Sequence, residues 1–163
     1  MKRKAALLAL ILGLACSTPA LAGAEDIELT FDRWTLKCDT REPTPGHCGV
    51  YWAMRLAGEP NESFLAAVAG YDGDRLLVAA VSMPGFCAEP ASTMQVDGYP
   101  PVVLHPEDEN AVIVPEKLSN EILRQALGGT MMFLRVHTGP DCLPEDHAVP
   151  LPGFADAWAA IPR

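Results

Sequence analysis

Residues 64–83 read FLAAVAGYDGDRLLVAAVSM, two apolar runs separated by Asp72-Gly73-Asp74-Arg75. Asp-Gly between two apolar runs is a strong short-range signal for a β-hairpin, because glycine accepts the positive φ of a tight turn. The alanines in both runs are also compatible with helices. However, the runs are short and a turn lies between them. We therefore predict two adjacent antiparallel strands at this point of the chain.

Further strand-like segments lie on both sides of this hairpin. Ile27, Leu29 and Phe31 alternate with polar residues, which predicts a strand with one buried face. The alternation changes phase at Asp32-Arg33, as at a bulge or bend, and continues through residues 34–38. The apolar run 48–56 predicts a buried central strand. Shorter strand-like segments follow at residues 93–96, 102–104, 111–114 and 131–136.

Two segments have helical patterns. Leu118, Ile122 and Ala126 fall on one face of a helix over residues 116–127, and Gly128-Gly129 ends it. Residues 155–161 predict a short C-terminal helix that packs Phe154 and Trp158. The proline-rich residues 143–152 predict coil. Eight or nine short strands with one inserted helix are typical of a β-sandwich or barrel.

The N-terminus has the three parts of a secretory signal peptide. Met1-Lys2-Arg3-Lys4 is followed by twelve small or apolar residues ending at Cys16, and residues 20–22 read Ala-Leu-Ala. A bilayer-spanning helix needs about 20 apolar residues, so this run is too short to be one. A lipoprotein site at Cys16 is the other alternative, but Gly13-Leu14 fit it poorly.

We therefore expect residues 1–22 to be cleaved and residues 23–163 to form a single domain. Cleavage would leave 9 basic residues against 21 acidic ones, a net charge of −12. No other apolar segment is long enough for a transmembrane helix. The expected location is the periplasm or the cell exterior.

Composition excludes two classes of protein. The chain has 163 residues, of which 49% are hydrophobic and 20% charged, so it is not intrinsically disordered. Its net charge of −9 argues against nucleic-acid binding, because contact with phosphates needs clustered Lys and Arg.

Four cysteines remain after cleavage: Cys38, Cys48, Cys87 and Cys142. An even number of cysteines in an exported chain predicts disulfides, here two. We favour Cys38–Cys48, because these residues lie at facing ends of two neighbouring predicted strands. That choice leaves Cys87–Cys142, although the sequence alone permits all three pairings.

A periplasmic copper- or zinc-binding protein is the main alternative. Its ligands would be soft sulfur and imidazole groups, which suit these metals. It would require reduced thiols, and the chain contains neither CxxC nor HxxxH. The candidate ligands are His47, Cys48, Met83, Cys87, Cys142 and His147.

The sequence contains no catalytic signature, so we expect a protein that is not an enzyme and has no cofactor. Ser63, Ser82, Ser92 and Ser119 lie in neither GxSxG nor SxxK. A small hydrolase, or an inhibitor of one, has no positive feature in its favour.

The aromatic residues on the predicted strands are expected in the core; these are Trp34, Trp52 and Phe133. Tyr99, in a proline-flanked turn, is a candidate exposed binding aromatic.

The order of several short motifs resembles the invasion-associated locus B family of bacterial exported proteins. Residues 31–38 contain Phe-x-x-Trp-Thr-x-x-Cys, with a second cysteine at Cys48. A Val-Asp-Gly turn follows at residues 96–98, and then a helix that ends in glycine before a hydrophobic strand (residues 118–133). Residues 151–157 resemble the family's Leu-x-Gly-Phe-x-x-Ala ending.

This chain departs from the family pattern in two places. Gly49-Val50-Tyr51-Trp52 stands where the family has a glutamine, and the family's cysteine pair between the turn and the helix is missing. The chain therefore resembles a divergent member. The resemblance implies a mainly β, immunoglobulin-like β-sandwich with one inserted helix and a short C-terminal helix. It also implies a non-enzymatic role, in some members linked to entry into host cells. The expected partner is another protein.

Overall fold

A computed structural model describes residues 27–38, 47–56, 63–83 and 85–162. The predicted signal peptide, Cys16 and the loop at residues 41–46 lie outside the described residues. The predicted mainly β fold is confirmed, since two antiparallel sheets and two helices form a β-sandwich.

The larger sheet has seven strands in the order β1-β2-β3-β4-β5-β9-β8. Its first five strands form a meander, in which each strand pairs with the next along the chain. The predicted hairpin is present, with Asp72 opposite Arg75 at its turn and Gly73 at a φ of 60°. The strands are β1 (Ile27–Phe31), β2 (Trp34–Cys38), β3 (Cys48–Arg55), β4 (Phe64–Asp72), β5 (Arg75–Met83), β8 (His105–Pro106) and β9 (Ala111–Ile113).

The smaller sheet has four strands in the order β11-β10-β6-β7. These are β6 (Thr93–Val96), β7 (Val102–Val103), β10 (Met131–Thr138) and β11 (Leu143–Pro150). The helices are α1 (Glu116–Gly128) and α2 (Phe154–Ala159), close to the predicted bounds of both. The resemblance to immunoglobulin domains lies in the two-sheet layering, whereas the larger sheet is a meander.

The prediction of coil over residues 143–152 was wrong. Strand β11 pairs with β10 along its full length, from Leu143 opposite Thr138 to Pro150 opposite Met131. The prolines misled the prediction because they cannot donate to a strand ladder. At the edge of a sheet that loss is tolerated, and β11 is an edge strand.

The core lies between the two sheets and includes one face of each helix. Alternate residues of β2 to β5 point inward, with Trp34, Leu36 and Val50 almost fully buried. Met94, Val96, Met132, Leu134 and Val136 of the smaller sheet belong to the same cluster, as do Ile122 and Ala126 of α1. Since burial of apolar area is the dominant favourable term in folding, this layer supplies most of the stability.

The turn after β6 is tied to the start of β10 by one carboxylate. Asp97 accepts hydrogen bonds from the hydroxyl of Thr130 at 2.8 Å and from the backbone N–H groups of Thr130 and Met131. These bonds lower the pKa of Asp97, that from the Thr130 hydroxyl most strongly. The Val-Asp-Gly motif thus has a structural role.

Helix α2 is fixed by an aromatic cluster. The ring of Phe154 meets Trp34 edge-on at a centroid distance of 4.7 Å, and Trp158 packs against Phe154 and Tyr71. This confirms the predicted packing of Phe154 and Trp158. Gly153 precedes the helix with a φ of 88°, and a Cβ there would collide with the carbonyl oxygen of Phe31.

Two disulfides cross-link the chain, as the even cysteine count predicts. The structure joins Cys38 to Cys48 and Cys87 to Cys142, which is the favoured pairing. The first joins the last residue of β2 to the first residue of β3, which lie directly opposite each other where the chain passes from one strand to the next. Neither helix of the described chain is long and apolar enough to cross a bilayer.

We predict that Phe154→Ala lowers the free energy of unfolding by about 3–5 kcal/mol, because it leaves a cavity between Trp34 and Trp158. Urea denaturation followed by tryptophan fluorescence measures the change. Phe133→Ala is the matched control, since Phe133 is 44% exposed and its loss leaves no cavity. Equal destabilisation by both substitutions would contradict the core described above.

Candidate functional site

A groove of about 330 Å³ lies on the outer face of the smaller sheet. It combines apolar side chains with a charged pair and with polar side chains. Its lining residues are Thr93, Gln95, Pro101, Phe133, Arg135, Asp146 and His147.

The register of the smaller sheet produces this grouping. Phe133 of β10 lies between Gln95 of β6 and Ala148 of β11, and Arg135 lies between Thr93 and Asp146. Side chains of directly opposed residues share one face of a sheet. Two sets of opposed residues, each running across β6, β10 and β11, therefore bring residues that are distant in sequence onto one surface.

Phe133 forms the apolar part of the groove, and its predicted place in the core was wrong. The side chain is 44% exposed, whereas its neighbours Met132 and Leu134 are buried. The sequence did contain the decisive signal, because Arg135 occurs two residues later and so points to the same face. A charged residue at that position places Phe133 on the outside.

An ion pair closes one end of the groove. The guanidinium of Arg135 donates from Nε to Oδ1 of Asp146 at 2.7 Å and from Nη2 to Oδ2 at 2.8 Å. Both side chains are exposed, so the pair contributes little to stability. The Arg135 hydrogen bonds hold the pKa of Asp146 below its usual value, and Asp146 raises the pKa of Arg135.

The geometry of this pair suits recognition. Bidentate contact fixes the Arg135 side chain in one orientation, so less freedom is lost when a partner contacts it. Only part of the guanidinium and carboxylate is used, which leaves donors and acceptors for a partner. Phe133 beside them offers apolar area on a rigid strand.

The three cysteines of the metal hypothesis, Cys48, Cys87 and Cys142, are all in disulfides, so none is a free thiolate. Within the described residues, no group of three or more His, Cys, Asp or Glu could hold a metal ion. Met83 lies exposed at the end of β5 and His147 lies on β11.

Among the described residues, the serines and one histidine lie inside the molecule, whereas His47 and His105 are exposed. Ser63, Ser82, Ser92 and Ser119 are all buried. His137 is buried too, and its Nδ1 lies 3.2 Å from the carbonyl oxygen of Cys142. Tyr99 is 44% exposed, as predicted, but is not among the residues that line the groove.

The fold is similar to that of a protein of known structure. The crystal structure of invasion associated protein B from Bartonella henselae matches with a TM-score of 0.56 and 15% sequence identity. The match covers 83% of this chain and 95% of that chain. At this identity the likeness concerns the fold, which the motif order in the sequence had indicated. No family model matches the chain, and no match was found among curated proteins.

We predict that Arg135→Gln raises the pKa of Asp146, because the bidentate hydrogen bonds that favour the carboxylate are lost. A carboxyl-carbon NMR titration measures the pKa directly. Since the folded-state pKa is lowered, the stabilisation by this pair is present above the unfolded-state pKa. This stabilisation is lost as pH falls through the folded-state pKa.

The control is Arg124→Gln, which breaks the exposed Glu121–Arg124 pair of α1 and should leave the pKa of Asp146 unchanged. An unchanged Asp146 pKa in Arg135→Gln would refute the pairing.

Proposed function

We propose that the chain is an exported protein of invasion-associated locus B type that binds another protein and catalyses no reaction. The groove on the smaller sheet is its binding site. The observation that carries this proposal is the placement of Phe133, a large aromatic exposed on a rigid strand next to a preorganised Arg135–Asp146 pair.

The residue types in the groove support a protein partner. Aromatic residues and arginine are enriched in the centres of protein interfaces and contribute disproportionately to binding energy. Gln95 and Thr93 add neutral hydrogen-bonding groups beside them. A partner segment with one apolar side chain for Phe133 and polar groups for Arg135 and Asp146 would fit.

Export is supported by two independent features. The N-terminal sequence has the charged, apolar and small-residue parts of a signal peptide. The two disulfides suit an oxidising compartment, since cytosolic thiols are kept reduced. A binding protein placed outside the cytoplasm would meet its partner in the periplasm or at the cell surface.

Site-specific photo-crosslinking in the producing bacterium tests the proposal. A photoreactive amino acid replaces Gln95, inside the groove, and the exported fraction is irradiated and analysed by mass spectrometry. We expect one defined protein adduct at Gln95. Adding Phe133→Ala should reduce its yield at least about tenfold, the effect of losing an interface hot spot.

Two controls separate specific binding from random contact. The same photoreactive residue at Tyr99, equally exposed but outside the groove, should give no such adduct. Leu143→Ala removes another exposed apolar side chain and should leave the Gln95 adduct unchanged. Equal adduct yields from the two crosslinking positions would refute the groove as the binding site. A Gln95 adduct yield that is unchanged by Phe133→Ala would refute it as well.

A further inference from the structure

A free edge of the smaller sheet lies beside the groove. The edge strand β11 has eight residues, whereas the edge strands β7 and β8 have two residues each and β1 has five. No described strand pairs with β11 on the side away from β10. A long free edge is a template on which an extended segment of another protein adds as a further strand. Whether β11 serves in this way depends on which of its backbone groups are free.

The backbone groups of β11 alternate between β10 and the free side. The N–H of Leu151, just after β11, donates to the carbonyl oxygen of Thr130 at 3.0 Å, which makes these two residues a hydrogen-bonded pair. Because such pairs alternate along an antiparallel ladder, the odd-numbered residues of β11 also bond to β10. The even-numbered residues direct their backbone groups away from β10. The carbonyl of Pro150 agrees with this alternation, since it accepts a hydrogen bond from Trp34.

Two prolines restrict the free edge to two positions. Pro144 and Pro150 have no N–H, and the carbonyl of Pro150 is already bonded to Trp34. Of the even-numbered residues of β11, only Asp146 and Ala148 present both a backbone donor and a backbone acceptor, and both residues are exposed. Prolines on an edge strand limit unwanted pairing. Here they also fix the register, because a partner strand can exchange paired hydrogen bonds only opposite Asp146 and Ala148.

The side chains at these two positions belong to the face that carries the groove. Ala148 lies opposite Phe133 of β10. Asp146 lies opposite Arg135, and a partner residue paired with Asp146 would place its Cβ about 5 Å from that of Asp146. Strand β11 contains Glu145 and Asp146 but neither Lys nor Arg, in a chain of net charge −9. A basic partner residue therefore fits opposite Asp146.

A large apolar partner residue fits opposite Ala148. The alanine side chain is a single exposed methyl group, next to the exposed ring of Phe133. A partner strand would lie two strand spacings, about 10 Å, from β10. An aromatic side chain on that strand can lean over the methyl group and meet the Phe133 ring in an offset or edge-on contact. The small residue at position 148 thus favours a large one on the partner.

We propose that the partner of this protein binds as an extended segment that adds to β11 as a fifth, antiparallel strand of the smaller sheet. The three pairings within this sheet are all antiparallel, and such pairs are slightly more stable than parallel ones. In this direction, an aromatic residue opposite Ala148 comes two positions before a basic residue opposite Asp146. The recognised motif is aromatic-x-basic. This inference rests on the proposed function, since it states which kind of segment the groove accepts.

An NMR titration of the isotope-labelled exported protein with two synthetic peptides tests this proposal. The first peptide is Ser-Thr-Phe-Thr-Lys-Thr-Ser and the second is its reverse, Ser-Thr-Lys-Thr-Phe-Thr-Ser, both acetylated and amidated. The first should bind at least about tenfold more tightly, because the reverse order places lysine beside Phe133 and phenylalanine beside Asp146. The first peptide should also move the amide proton signals of Asp146 and Ala148 downfield, since both N–H groups gain a hydrogen bond. The reverse peptide has the same composition and charge, so it controls for unspecific attraction.

Methylation of single peptide nitrogens tests whether backbone pairing holds the segment. In the proposed register, the N–H groups of the phenylalanine and the lysine donate to β11, whereas the N–H of the threonine between them points away. N-methylation of the lysine should weaken binding at least about tenfold, because it removes a hydrogen bond and leaves a carbonyl of β11 without its donor. N-methylation of the central threonine is the matched control and should leave the affinity unchanged.

Two variants at one position test the same pairing from the protein side. Ala148→Pro removes the N–H donor where proline is tolerated, since Pro144 and Pro150 occupy equivalent outward positions on this edge strand. It should weaken binding of the first peptide at least about tenfold. Ala148→Ser keeps the donor and should bind as the wild type does. The N-methylated peptides are measured on the wild-type chain, so the test does not depend on the folding of either variant.

Three results would overturn strand addition. They are no binding of the first peptide at about 1 mM, equal or tighter binding of the reverse peptide, and an affinity that N-methylation of the lysine leaves unchanged. The groove itself is judged separately. A Gln95 crosslink that depends on Phe133 but persists in Ala148→Pro would keep the proposed function and overturn strand addition. Peptide binding to β11 without any Gln95 adduct in the bacterium would support the edge and count against the proposed function.

Discussion

The side chain of Trp34 joins the two sheets of this protein. Its indole N–H donates to the carbonyl oxygen of Pro150 at 2.8 Å, across 116 residues of sequence. Trp34 belongs to the larger sheet and Pro150 ends the last strand of the smaller one. Because the indole ring also packs against Phe154, one residue sets the spacing of the sheets and the place of the C-terminal helix.

The chain around this contact has little freedom to vary. Gly153 must turn within contact distance of Phe31 to place Phe154 beside the indole, and only glycine has room there. The Phe-x-x-Trp and Leu-x-Gly-Phe motifs, which lie near opposite ends of the described chain, are therefore parts of one packing unit.

With the core fixed from inside, the outer face of the smaller sheet is available for recognition. The smaller sheet presents a mixed groove with an aromatic and an oriented ion pair, suited to a specific and reversible partner.

The sequence predicted the elements of the fold better than its surfaces. The Asp72-Gly73 turn and the two glycines at the end of α1 are local signals, and they placed the hairpin and the helix correctly. Strand β11 was missed because its prolines are tolerated only at a sheet edge, a position that the sequence does not reveal. The groove could not be predicted, because it depends on the register that sets Gln95 and Asp146 beside β10.

Hydroxyl-radical footprinting in the exported fraction tests the central claim most directly. Phe133 and Tyr99 are equally exposed in the isolated chain, so each serves as the reference for the other. The account predicts that Phe133 is oxidised readily in the purified protein and is protected in the native fraction, while Tyr99 reacts alike in both. Protection of Tyr99 alone, or equal oxidation of Phe133 in both samples, would contradict the assignment of the groove as the binding site.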